Sequence, residues 1–264
     1  MLRTLSLLSL FLITASLSAL AAPAPNPPPV DLLPLKKALA PLGGTGTLQT
    51  HSTLRMTGAK QGLSVVLRED LQVTSHYPGH FHALLIQYAS AAGPQTKLEV
   101  VSNGASVWTY RPGTRQYSVM TLAAFKKADS DIPTLGLAIG GFSLGDGRPL
   151  VDGFQSISGT NSAEVLEMLA GSGIQITRVT KSVGGQDDYV YSINLGDLLY
   201  KFYVNSQTSA LAHVELSGTD GGIRMTYRED IQILLPLPAA STPTFVFTPP
   251  LGTLKVPLVS VNPY

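Results

Sequence analysis

Turn-forming residues punctuate this chain at short intervals, and that rhythm constrains the fold more than any other feature. Gly43-Gly44-Thr45-Gly46, Tyr77-Pro78-Gly79, Asn103-Gly104, Pro112-Gly113, Gly184-Gly185 and Gly221-Gly222 separate apolar, β-branched and aromatic runs. Roughly ten strands are expected within 47–120 and 174–235, at the spacing of an antiparallel sheet or barrel. Asn103-Gly104, between 97–102 and 105–110, predicts a type I′ hairpin turn because these residues tolerate positive φ. Residues 81–88 are apolar on both faces, which predicts a strand covered on both sides.

Helical periodicity is confined to short stretches. Leu32, Leu35, Leu39 and Leu42 predict a helix over 31–42, stopped by the glycines that follow. Residues 122–127 and 163–170 also read as helical, the second capped by Ser162 and stopped by Gly171. Between them, 132–151 is rich in glycine and leucine, as in loose helices or a lid-like loop. The strands are spread evenly enough for a single domain over 31–264.

Two segments echo each other. Arg68-Glu69-Asp70-Leu71-Gln72-Val73 recurs as Arg228-Glu229-Asp230-Ile231-Gln232-Ile233. Strict alternation puts Glu69 on a face with Val65, Leu67, Leu71 and Val73, and Glu229 with Met225, Tyr227, Ile231 and Ile233. Either both are polar anchors inside an apolar cavity, or a β-bulge rotates each outward. The bulge is the expected arrangement, because an unpaired buried carboxylate is costly.

The N-terminus reads as an export address. Arg3 precedes an apolar run from Leu5 to Leu20, and Ala19-Leu20-Ala21 supplies a small-x-small cleavage pattern. A membrane anchor is the rival, but the run is shorter than the ~20 residues a spanning helix needs and contains several serines. Residues 1–21 are therefore expected to be a signal peptide and 22–30 a Pro-rich linker. The mature protein is then periplasmic and soluble.

Composition excludes several kinds of chemistry. Charged residues make up 13% of the chain, and the formal net charge is +1. A nucleic-acid binder would show a basic stripe and a high pI. The absence of cysteine excludes disulfides, thiolate metal sites and Cys nucleophiles. Gly141-Phe142-Ser143-Leu144-Gly145 matches the G-x-S-x-G nucleophile elbow, but the glycines before it and Asp146-Gly147-Arg148-Pro149 after it do not make the strand–turn–helix that the motif requires. His76, His80 and His82 are conceivable zinc or copper ligands, weighed against a solvated hairpin end. No phosphate-loop or dinucleotide fingerprint occurs. No catalytic residue, metal or cofactor is assigned.

Several stretches, in order, resemble the periplasmic outer-membrane lipoprotein carriers, the LolA-like family. They are 102–112 with Trp108 and Tyr110, the hairpin of 199–204 and 210–216, and Phe245-Val246-Phe247-Thr248-Pro249-Pro250-Leu251-Gly252. The resemblance implies a mainly β (α+β) fold, in which a curved antiparallel sheet forms an incomplete barrel with its concave face covered by short helices. It also implies a non-enzymatic carrier that shelters lipid or lipoprotein acyl chains in an apolar groove under a lid at 122–151. Inner- or outer-membrane proteins are possible partners, and nucleic acid is not. The alternative on the same fold is an envelope-stress sensor or scaffold that binds a protein. The expected ligand-binding residues are Leu84, Ile86, Trp108, Tyr110, Leu135, Leu137 and Ile139. One departure stands out: Tyr77-Pro78 occupies the place of the carriers' Arg-Pro pair, whose arginine helps hold the lid closed.

Overall fold

The computed structural model describes residues 30–60, 63–88, 95–127, 174–195, 197–220, 223–238 and 245–261, with positions 135, 136, 155, 166 and 171. Two meanders build the described chain. The first is β1 (Thr47–Lys60), β2 (Leu63–His76), β3 (His80–Tyr88), β4 (Gln95–Asn103), β5 (Ser106–Arg111) and β6 (Gln116–Thr121). The second is β7 (Gln175–Val183), β8 (Gln186–Leu195), β9 (Leu198–Asn205), β10 (Leu211–Asp220) and β11 (Ile223–Leu237). β11 returns beside β1 and joins them. A two-residue strand, β12 (Leu254–Lys255), adds to β6 in parallel. The result is one open, curved twelve-stranded sheet of order β12-β6-β5-β4-β3-β2-β1-β11-β10-β9-β8-β7. No helix among the described residues is long and apolar enough to cross a membrane.

The two helices with described bounds are α1 (Leu33–Gly43) and α2 (Leu122–Lys127). The Asp31 side chain accepts a hydrogen bond from the Leu33 amide (3.0 Å) at the start of α1. The leucines at helical spacing do what their period predicts: Leu32, Leu35, Leu39 and Leu42 are all buried against the sheet. The tyrosine hydroxyl of Tyr191 donates to the Asp31 carbonyl (2.9 Å), tying the helix entry to β8. Of the expected helix at 163–170 only position 166 is described, and it is helical; the rest lies outside the described residues, as does most of 132–151.

Cross-strand register defines two faces. The inner face carries Leu71, Val73, Phe81, Ala83, Leu85, Leu98 and Val100 on one half, and Tyr191, Ile193, Phe202, Val204 and Val214 on the other. β3 is covered on this face only, which corrects the two-sided expectation. Leu84 is 44% exposed, whereas Phe81, Ala83 and Leu85 are buried.

The β4–β5 turn also differs in detail from the expected type I′. Gly104 takes positive φ (84°) but Asn103 does not. Asn103 works through its side chain instead, its Oδ1 accepting from the amides of Ala105 (3.0 Å) and Ser106 (2.8 Å), as Asn does in Asx-type turns.

The C-terminal segment wraps around the β6 edge. Phe247 packs on the outer face with Val101, Tyr110, Trp108 and Tyr117. The chain then runs along β6, where Leu254 N donates to Arg115 O (2.9 Å) and Val256 N to Tyr117 O (2.8 Å). Val259 and Val261 finish on the inner face, in the cluster that also holds Phe125 of α2 and Leu135. We call residues 245–261 the strap.

Candidate functional site

Three residue rows cross the middle of the inner face, each read from cross-strand register. The first is Ile231, Ser52, Leu71, Leu85, Leu98. The second is Val214, Glu229, Leu54, Glu69, Gln87. The third is Tyr200, Leu216, Tyr227, Met56, Leu67. Strands lie about 4.8 Å apart, so each row spans about 19 Å over its four gaps.

The second row is polar at the centre of an apolar surface. Glu69 and Glu229 flank Leu54 and are 0% and 3% exposed. Both therefore face inward, and the outward rotation expected from a bulge does not occur. A register shift is present in β11, between the pairs Ser52–Ile231 and His51–Ile233, but it comes after Glu229. It leaves Glu229 inside and turns Ile233 and Leu235 outward, at 43% and 52% exposure. β2 has no shift against either neighbour, so Glu69 keeps strict alternation.

The carboxylates have different surroundings. Glu229 Oε1 accepts from Ser52 Oγ (2.6 Å), and its Oε2 accepts from the hydroxyl of Tyr227. Glu69 Oε1 accepts from Gln87 Nε2 (2.6 Å). That same nitrogen donates to Val261 O of the strap (2.6 Å). A carbonyl only accepts, so this contact fixes the orientation of the Gln87 amide. Glu69 Oε2 and Gln87 Oε1 are buried without a hydrogen-bond partner among the described residues. Burial pushes the Glu69 carboxyl up to about 8, against the smaller lowering effect of the Gln87 hydrogen bond. Burial first, then the charge of Glu229, holds the Tyr227 hydroxyl well above the usual tyrosine range.

Gly136 lies directly on this row. A Cβ at Gly136 would stand 2.5 Å from Leu71 Cδ2 and 2.9 Å from Glu229 Oε1, and its φ is +71°. Only glycine lets the backbone come this close in that conformation.

The third row is apolar but less covered. Tyr200, Leu216, Tyr227 and Met56 are half-buried, in contrast to the fully buried residues of the two flanking clusters. Val65, one pleat beyond Leu67, is 48% exposed. Burial alone raises the Tyr200 hydroxyl to about 12.

The expected ligand-binding residues are divided by this geometry. Leu135 is fully buried in the inner-face cluster with Phe125. Leu84 and Ile86 alternate with Leu85 and stand on the outer face. Trp108 and Tyr110 also lie on the outer face, where Tyr110 packs 5.7 Å from the Phe247 ring, centroid to centroid. Leu137 and Ile139 lie outside the described residues, as does Ser143. The three histidines have separate neighbours: His80 Nδ1 is 2.9 Å from Pro78 O, His76 Nδ1 is 3.3 Å from Thr47 Oγ1, and His82 Nε2 is 2.9 Å from Glu99 Oε1. No group of three metal-ligating side chains converges among the described residues.

Sequence reasoning found Glu69 and Glu229 but not Gln87, Ser52 or Tyr227 as their partners. Only strand pairing brings Ser52 to Glu229 across 177 positions of chain.

Comparison with known proteins gives a likeness at the level of structure. A LolA superfamily protein from Nitrosomonas europaea aligns with 12% identity and a TM-score of 0.29, over 80% of this chain and 97% of that one. LprF from Mycobacterium bovis aligns with 11% identity and a TM-score of 0.39, over 81% and 94%. MucB aligns with 11% identity and a TM-score of 0.32, over 80% of this chain and 62% of MucB. No family model matches the sequence, and no curated protein does.

Proposed function

We propose that this protein is an exported, non-enzymatic binder of lipid or lipoprotein acyl chains, which lie against the inner face of its open sheet. The observation that carries this reading is the half-buried apolar row Tyr200, Leu216, Tyr227 and Met56, which continues the fully buried apolar surface on both sides. Such a row is a floor with no second sheet above it among the described residues. The covers on the flanking clusters are an 11-residue helix on one side, and a six-residue helix with a strap on the other. Leu135 and Phe125 belong to the segment expected to act as a lid. Each acyl CH₂ removed from water contributes about 0.8 kcal/mol, so one or two chains give useful affinity without any polar motif.

The test is native mass spectrometry of the protein purified from a periplasmic extract, together with uptake of a fluorescent fatty acid. Bound lipid mass is expected, and Leu216→Asp with Met56→Asp is expected to cut uptake at least tenfold while the circular dichroism is unchanged. A clean unliganded mass with no uptake overturns the reading. Recovery of a stable protein complex free of lipid favours a sensor or scaffold instead.

A further inference from the structure

The central polar row holds two buried side-chain oxygens without a hydrogen-bond partner among the described residues. Glu69 Oε2 and Gln87 Oε1 are both buried, on residues 0% and 2% exposed, and neither has a hydrogen-bond partner among the described residues. The Gln87 amide cannot turn to relieve this, because its nitrogen already serves Glu69 Oε1 and Val261 O. Leaving a buried acceptor unmade costs about 1–3 kcal/mol, and more when the group is charged. Glu229, by contrast, has donors from Ser52 and Tyr227. The unmet demand is therefore local to Glu69 and Gln87. Leu67 stands next to Glu69 along β2, at the end of the half-buried apolar row.

We propose that Glu69 and Gln87 receive the primary ammonium group of an amphiphile whose hydrocarbon chain lies along the row Tyr200, Leu216, Tyr227, Met56 and Leu67. The inference rests on the acyl-chain reading above and adds the headgroup to it. A primary ammonium brings three donors and a positive charge. Two unpartnered oxygens on residues paired across strands, one of them on a carboxyl that an amine can deprotonate, match that set better than they match a hydroxyl, which brings a single donor and no charge. The high-pKa state of Glu69 is what a carboxyl shows when burial is uncompensated by a cation.

The test is calorimetric titration of the full-length chain with dodecylamine, dodecanol and dodecyltrimethylammonium, which share a chain length and differ only in the head. Dodecylamine is expected to bind at least tenfold more tightly than either of the others. Glu69→Gln is expected to remove most of that preference while keeping the affinity for dodecanol. Equal affinity for all three overturns the headgroup proposal and leaves the acyl-chain reading standing. Dodecanol equal to dodecylamine overturns the choice of an ammonium. Failure of all three to bind overturns the acyl-chain reading itself. Should Glu69→Gln not fold, the three-ligand comparison on the unaltered protein still decides the matter.

Discussion

On β8–β10 the inner face is covered by α1, which immediately precedes β1 in the chain; on β2–β5 the cover comes from the far end of the sequence, carried around β6. The helix half buries large side chains completely: Leu32, Leu35, Leu39, Tyr191 and Phe202 are each 0–2% exposed. The strap half is closed by Val259 and Val261, by Phe125 from a single helical turn, and by hydrogen bonds such as Val259 N to Ser118 Oγ (2.9 Å). Both covers close long loops: Tyr191 meets Asp31 across 160 positions and Val259 meets Ser118 across 141, so both carry loop-closure entropy. They differ in kind: one is an 11-residue helix with a stripe of buried leucines, the other an extended strap that contributes two valines beside Phe125. The polar row with Glu69 crosses from β10 to β3, from the strands of one half to those of the other.

The largest expected effect tests that row. Glu69 holds its proton up to about 8 when folded, and an unfolded chain releases it near 4.5. Between those values the native state binds more protons than the unfolded state, so stability falls as pH rises. The slope from this group is about 1.4 kcal/mol per pH unit and flattens above its folded pKa. Denaturant melts from pH 4 to pH 9 should show this decline, and Glu69→Gln should abolish most of it. The groups that share the row with Glu69 are Gln87 and Glu229, with Tyr227 hydrogen-bonded to Glu229; Tyr227 titrates far above this window.

Next comes the helix half. Leu39→Ala, at a fully buried site, is expected to cost about 2–5 kcal/mol of global stability by denaturant titration. If α1 opened independently of the sheet, the loss would appear in local hydrogen exchange and leave the global midpoint unchanged.

Gly136→Ala is expected to cost about 1–2 kcal/mol, because it forces an L-residue into left-handed φ beside Leu71 and Glu229. A loss confined to exchange protection of the strap half would sharpen the contrast. The smallest effect is at the strap's own anchor. Arg115 Nη2 donates to Leu251 O (2.7 Å) at an exposed position, so Arg115→Ala should cost about 1 kcal/mol or less. Its signature is faster proteolysis within 245–261, with the helix half unaffected.

Much of this arrangement was legible in the sequence, and the exceptions have physical causes. The Leu32-Leu35-Leu39-Leu42 stripe and the alternation of β2 are local patterns; the stripe is buried, and so is the β2 face from Leu67 to Val73, while Val65 on that face is exposed. The fate of the two glutamates was not local. Alternation cannot say where along β11 a bulge falls, and one residue's difference decides whether Glu229 or Ile233 turns out. Trp108 and Tyr110 misled for another reason. An aromatic pair on an outer face looks like a ligand wall until the strap is seen to bring Phe247 onto it from well over a hundred residues away. Gln87 carried no signal, since its importance arises only when β2 and β3 pair and Val261 arrives.

The strap also leaves the two rims of the sheet unequal. Along β6 the main-chain groups meet β12 and the tail, while β7 is the last strand of the sheet among the described residues, with Arg178 and Lys181 along it. Exposed rims invite strand addition, and basic side chains discourage it. Among the described residues the long rim of the sheet is therefore β7, and any strand added there would have to lie beside Arg178 and Lys181.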